Sequence, residues 1–454
     1  MRSSLCVPLL LGVVNAGCSW TRYDDIVENS PIALLNRPKE IPGGFGSSLA
    51  TGRVKDQVTL LVGGGALNSG ASEFALGTAD APSLDARDSG HCMGGPTPCY
   101  FSNSPVALNG ANTPGMKRDL CFVDGAGTAS GQDGIVVRCT DDVEYTLDIP
   151  ELAFELLDFS LKFGQPTLFR FGADRGPDPG LLATADEESV VWYYPPLTRD
   201  FVELPNLGDS KQRWTKNVPR NLTIARVGDG RLLAVAEPQA GTVRLFFAPD
   251  GTDPSYIGCL GGTAGFGRSF ATGPVLADDS DDELVIADDS LVYVFDGAKL
   301  ATLVPTTASD CTLGALPEGT LVTSFTCGST KNISGCEASE FGAALGVGDL
   351  DGDGDGEVVV GAPAMTVRHV DRAGAALIYD VEAPEGGASD DLFRLKDIAF
   401  LSSADEDDQL GRSISLPEID GRHLLAAGAP GSNKVALYYC PSFLPKELAG
   451  PRCQ

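Results

Sequence analysis

"FGAALGVGDLDGDGDGEVVVGAPAMTVRHVDRAGAALIYD" runs from Phe341 to Asp380. Its centre sets Asp349, Asp351, Asp353 and Asp355 at alternate positions, separated by small residues, and then enters a valine strand. Like charges at that spacing repel one another, so the loop stays open and solvated unless a cation holds it. Its oxygen donors have a recognisable order. Asp349, Asp351 and Asp353 stand at positions one, three and five, and Gly354 at six allows a sharp turn. Asp355 at seven can offer its carbonyl, and Glu357 at nine can close the shell. Such a set suits Ca²⁺, which takes about six to eight hard oxygen ligands. It is not an EF-hand: position twelve is Val360, and Gly361-Ala362-Pro363 cannot begin the helix that motif requires. The alternative is a metal-free acidic turn.

Outward from this loop, a short apolar strand recurs. Its copies centre on Leu61, Val136, Leu182, Leu233, Val285, Val359 and Leu425, at intervals of 46 to 75 residues. Several are followed by a second strand ending in aromatics, such as "SVVWYY" at Ser189, "TVRLFF" at Thr242 and "VALYYC" at Val435. Several are preceded by a glycine-rich start: "FGSSLATG" at Phe45, "FGRSFATG" at Phe266, "FGAALGVG" at Phe341 and "LGRSISLP" at Leu410. Repeats of about four short strands mean blades of a β-propeller, because a small twisted sheet buries its faces only against neighbours. The expected fold is all-β, a seven-bladed propeller with disulfide-pinned loop insertions; a pair of β-sandwiches is the alternative. Pro150 to Phe163, "PELAFELLDFSLKF", is left open as a short helix.

The stretch from Phe341 resembles the FG-GAP repeat of integrin α-subunit propellers and of many bacterial surface proteins. Phe341-Gly342 match the FG, Gly361-Ala362-Pro363 the GAP, and the aspartate loop lies between. The copy at Leu410 keeps Gly428-Ala429-Pro430, and the copy at Phe266 has Ala287-Asp288-Asp289 in place of GAP. The resemblance implies a calcium-bound hairpin and adhesion or scaffold binding through loops on one propeller face. Elsewhere, Asp278 to Glu283 is a possible second metal cluster, and "VGDGRLL" at Val227 reads as a plain hairpin turn.

Charge and cysteines set the compartment. Lys plus Arg total 33 against 62 Asp plus Glu, a net charge of −29. That argues against nucleic acid and disfavours an electrostatic grip on anionic membrane, and it suits divalent cations. "MRSSLCVPLLLGVVNAGCSW" reads as an export signal whose apolar run is too short to span a bilayer. Val14-Asn15-Ala16 fits ordinary signal peptidase; Asn15-Ala16-Gly17-Cys18 resembles a bacterial lipobox with Cys18 lipidated. Lipid on Cys18 leaves an even set for disulfides in an oxidising compartment: Cys92, Cys99, Cys121, Cys139, Cys259, Cys311, Cys327, Cys336, Cys440 and Cys453. Proximity in the chain suggests Cys92–Cys99, Cys121–Cys139, Cys327–Cys336 and Cys440–Cys453, leaving Cys259–Cys311, although sequence does not fix connectivity. The organisation expected is a signal at 1–17, a tether or ring-closing strand at 18–40, the propeller at 41–441 and a tail at 442–454.

Catalytic signatures are missing. There is no GxSxG and no HExxH, and His91, His369 and His423 read as structural or exposed. "GTAGFGRS" at Gly262 mimics a phosphate loop but has Arg268 for the lysine and leads into strands. The expectation is a non-catalytic, calcium-binding lipoprotein on a bacterial outer membrane or cell surface, touching the membrane only through its lipid. A periplasmic or secreted location is the alternative. Its partner would be a surface protein or glycan. The competing readings are a propeller lyase or hydrolase with a channel site, and a structural subunit of an envelope complex.

Overall fold

The computed structural model describes residues 32–87, 121–147, 167–203 and 221–438, less short connecting segments within them. Among these residues the chain is all-β, apart from one helical turn at Gly297–Ala301. Among the described residues no helix is long and apolar enough to cross a membrane. The proposed signal, Cys18, Cys92, Cys99, Cys440, Cys453, His91 and the open segment at Pro150 lie outside the described residues.

The strands form antiparallel up-and-down sheets in chain order. The first sheet holds Ser48–Val54, Gln57–Gly63, Ala71–Ala75 and Asp85–Arg87. The second has three strands, Cys121–Ala126, Ile135–Cys139 and Glu144–Leu147. Four-stranded sheets follow, the third within 167–203, the fourth within 222–261, the fifth within 269–326 and the sixth within 345–399. The last combines Ser413–Ser415, Leu425–Ala429 and Lys434–Tyr438 with a strand from far upstream, Ile32–Asn36. Residues 32–36 therefore belong to a sheet, and the folded part of the chain begins before residue 41.

Every copy of the recurring apolar strand is the second strand of its sheet. Gly230–Glu237, Glu283–Ala287, Glu357–Ala362 and Leu425–Ala429 are buried from end to end. Successive strand residues point to opposite faces, so burial at every position means both faces are covered. This explains why these strands read as unbroken apolar runs and not as alternating ones. The cores lie between sheets. One cluster joins Leu232 and Ala234 of the fourth sheet to Leu284 and Ile286 of the fifth. Another runs from Val285 through Val359 to Ala427, and a third joins Val435 and Leu437 of the last sheet to Leu60 and Val62 of the first.

The glycine-rich starts make the joints. Phe45, Phe266, Phe341 and Leu410 are each no more than 3% exposed, and burying each contributes roughly 1.5–3 kcal/mol. The glycines after them have φ of 91°, 85°, 84° and 86°, a left-handed backbone that side chains resist. The amides of Gly46, Gly267, Gly342 and Gly411 donate to Gly63, Ala287, Gly361 and Gly428 at the end of their own second strand, at 2.9–3.0 Å. A Cβ on Gly267 would collide with Ala236, on Gly342 with Ala287, and on Gly411 with the Ala375 carbonyl, each in the preceding sheet. On Gly46 it would collide with the Lys434 carbonyl of the last sheet. The joint that links consecutive sheets thus also links the last to the first. Ser413 Oγ reinforces it by donating to the Gly46 carbonyl at 2.7 Å.

Two disulfides are formed, Cys259–Cys311 and Cys327–Cys336. Cys121 stands opposite Cys139 in the register of the second sheet.

Two outcomes are expected. Gly428→Ala would drive a methyl into the Gly46 carbonyl and Ser413 Oγ, and should lower the stability by about 1–3 kcal/mol or more in urea unfolding. Replacing Cys259 and Cys311 together by serine opens a loop of 52 residues and should lower it by up to ~4 kcal/mol. The nine-residue loop of Cys327–Cys336 should be worth less, up to ~2.5 kcal/mol. The reverse order would contradict the loop-entropy account.

Candidate metal centre

The aspartate loop joins Leu345–Gly348 to Glu357–Ala362, and its mouth is closed by the pairing of Gly348 with Glu357. Leu350, at the loop's second position, is 1% exposed and anchors it in the core. The turn is wound by its own acids. Asp349 accepts from the amides of Gly352 and Gly354 at 2.5 and 3.1 Å, Asp351 from Asp353 at 3.1 Å, and Asp353 from Asp355 at 2.9 Å. Gly352 and Gly354 have φ of 83° and 101°, which is why glycine alternates with aspartate here. A separate two-stranded hairpin, Glu418–Ile419 with Arg422–His423, which lies in the chain between the first and second strands of the last sheet, grips the loop from outside. The His423 amide donates to the Asp349 carbonyl at 3.1 Å, and the His423 Nδ1 lies 3.1 Å from the same oxygen.

The carboxylates fall into two overlapping groups. Oxygens of Asp349, Asp351 and Asp353 lie within 4.8 Å of one another, and so do those of Asp351, Glu357 and Asp380. Asp351 belongs to both, and Asp355 to neither. Asp380 lies on Ala375–Val381 beside the loop, is 5% exposed, and has Lys396 Nζ 2.7 Å from its Oδ2. Glu357 is fully buried: its Oε2 accepts from the Leu350 amide at 2.5 Å, while its Oε1 has no hydrogen-bond partner among the described residues. A buried carboxylate oxygen without a donor is costly. Burial, with the neighbouring charge of Asp353, pushes Asp351 up to about 6. Burial, with the charges of Asp351 and Asp380, pushes Glu357 up to about 8. These oxygens ask for a cation or a proton.

Asp380, Lys396 and His423 complete what the loop's spacing alone does not show. A detectable signal existed for Asp380, an acid ending the apolar run "AALIY". The region of the possible second cluster is occupied differently among the described residues. Glu283 accepts from the amides of Val275 and Leu276, Asp282 from Arg226 and Asp281 from Gly228, so these acids tie backbone together. Phe266 and Gly267 of the phosphate-loop mimic serve as a sheet joint, and Thr263 beside them donates to Asp288. Asp288, standing where other copies have the alanine of GAP, is fully buried and also caps the amides of Ser290 and Leu291. His369 is exposed.

Comparison with known proteins bears on the repeat and the fold. A family model described as the FG-GAP repeat matches residues 341–379, which hold the glycine-rich start, the aspartate loop and the first three strands of the sixth sheet. No curated protein matches the chain. Among solved structures similar to it is BBS1N, crystallised in complex with ARL6DN and soaked with lead. The two share 9% identity over 91% of this chain and 98% of that one, with a TM-score of 0.50. At that identity the likeness concerns the fold alone. The chain has a β-propeller-like fold carrying an FG-GAP repeat.

The raised carboxyls give a pH prediction for the metal-free protein. The fold retains protons on Asp351 and Glu357 that the unfolded chain releases at ordinary carboxylate pH. The stability this confers is fully present below that range and is lost as pH rises through about 6 and about 8. In EDTA, Tm should therefore fall across that window, and millimolar calcium should abolish the fall. A flat profile in EDTA would contradict the burial of these groups.

Proposed function

We propose that this chain is a seven-bladed, integrin α-like FG-GAP propeller that binds calcium and works by recognition, not by catalysis. It would be displayed on a bacterial cell envelope through lipid on Cys18, and its partner would be a surface protein or glycan. The observation that carries the calcium assignment is Glu357 Oε1, buried and unpartnered among acids. A cation held by Asp349, Asp351, Asp353, Glu357 and the Asp355 carbonyl, with Asp380 behind them, would remove the repulsion and satisfy that oxygen. Calcium would then act as a structural tie, fixing the aspartate loop against His423 of the neighbouring two-stranded hairpin. The joint between last and first sheets, repeating the joints between consecutive ones, supports a closed ring. Recognition is supported by the FG-GAP match and by the acidic balance of the chain, which sets aside nucleic acid.

The test has two parts. Chelator should lower Tm of the purified chain, and Asp351→Asn should remove that response while leaving the circular dichroism of the sheets intact. The same protein, labelled, should bind intact cells, envelope fractions or polysaccharides saturably, and less so in chelator. Metal-independent Tm in both proteins would end the calcium assignment. Absence of binding to all three would shift the reading to an enzyme or a pre-assembled envelope subunit. Export with Cys18→Ala should release the chain from the membrane fraction.

A further inference from the structure

The aspartate loop lies where first strands end and second strands begin. At the opposite end of the sheets, where first strands begin and second strands end, there is an open cavity of about 750 Å³. Its polar lining is Ser47, Glu340, Arg372, Gln409 and Arg412. It thus lies among the first, sixth and last sheets. We infer that this cavity is a binding site for a small oxyanion, a carboxylate or phosphate group, taken by the guanidinium groups of Arg372 and Arg412.

Three observations carry the inference. The first is convergence. In a chain with 33 basic residues against 62 acidic ones, two arginines meet over one carboxylate: Arg412 Nη1 lies 3.0 Å from Glu340 Oε2, and Arg372 Nη2 lies 3.8 Å from Glu340 Oε1. Glu340 thus displays the geometry the pair offers to any carboxylate. The second is spare donors. Arg412 uses one guanidinium nitrogen and Arg372 gives its Nε to Asp407 at 2.7 Å. Their other guanidinium N–H groups and the Gln409 side-chain amide have no hydrogen-bond partner among the described residues. A planar fork of this kind matches carboxylate and phosphate oxygens.

The third is the backbone. The residue before each Phe-Gly or Leu-Gly pair is left-handed: Gly44 at φ 66°, Gly265 at 83°, Glu340 at 55° and Gln409 at 58°. Two copies use glycine, which that conformation favours. The other two accept strain to place Glu340 and Gln409, and both side chains line this cavity. Arg372 is also left-handed, at 52°. Of the eight non-glycine residues with left-handed backbone among the described residues, three, Glu340, Arg372 and Gln409, line this one cavity, and strained backbone at polar cavity residues is a pattern of functional sites.

The inference rests on reading the chain as a binding module, but not on calcium. Calorimetric titration of the purified chain with inorganic phosphate and with galacturonate tests it, and the tighter probe shows which oxyanion source the site prefers. At least one should bind saturably. Arg372→Gln with Arg412→Gln should weaken it by at least about tenfold, and Glu340→Gln, which withdraws the internal competitor, should tighten it. Gln409→Gly relieves the strain, so it should raise Tm while weakening binding. This variant keeps the test valid should the double variant misfold. No saturable binding of either probe, or wild-type affinity in the double arginine variant or in Gln409→Gly, would overturn the site. Cell binding that survives the arginine changes would remove the cavity and leave the binding module. Oxyanion binding without cell binding would do the reverse.

Discussion

The backbone of each glycine-rich start lies against the sheet before it, with no room for a side chain between them. This close approach sets the rest of the architecture. A sheet of four short strands has two broad faces, and its second strand is apolar on both. Such a strand is stable only when a neighbour covers each face. The glycine joint lets that neighbour come near enough, and the aromatic or leucine before the glycine fills the remaining space. Because Gly46 makes the joint with the last sheet, the first sheet has the same kind of partner on its outer side that the fifth, sixth and last sheets have.

The aspartate loop is a local exception built on the same plan. In the fifth and sixth sheets a glutamate opens the second strand, and in both a carboxylate oxygen accepts backbone amides from the preceding connection. Glu283 and Glu357 therefore share a structural duty. In the fifth sheet the connection reached by the glutamate includes apolar Val275, buried in the core. The sixth connection has its own buried apolar residue, Leu350, and both connections carry aspartates; in the sixth the aspartates converge, and Asp380 adds a further carboxylate from the third strand. A shared scaffold position thus becomes part of an electronegative pocket through the residues around it. The one apolar member of that loop, Leu350, stops it from relaxing outward into solvent.

Much of this was legible in the sequence. The apolar runs at Leu233, Val285, Val359 and Leu425 announced second strands because burial on both faces suppresses alternation. The Phe-Gly pairs announced sheet starts because both residues have steric reasons to be there. The aspartate spacing announced a wound hairpin. Other features depended on contacts between distant segments. Ile32–Asn36 pairs with a strand some four hundred residues later, and nothing local distinguishes it from a tether. Asp380 reaches the acidic group from a neighbouring strand, and His423 reaches Asp349 from another sheet. The arginine cavity is assembled from loops of three sheets, and its clearest local mark, side chains where sister copies have glycine, becomes visible only once the copies are aligned by backbone.

The strand at Ile32–Asn36 also has a mechanical meaning. It runs antiparallel to Lys434–Tyr438, with Ile32 beside Tyr438, so the incoming and outgoing chain lie side by side at one end of the last sheet. Tension that spreads these two segments apart would open the pairing one residue at a time, like a zipper. Tension that pulls the incoming segment along its own axis would load all five pairs at once, in shear. The pairing is therefore strong against a pull along the strand and weak against a pull across it, so the direction of loading decides how firmly the incoming strand stays in the last sheet.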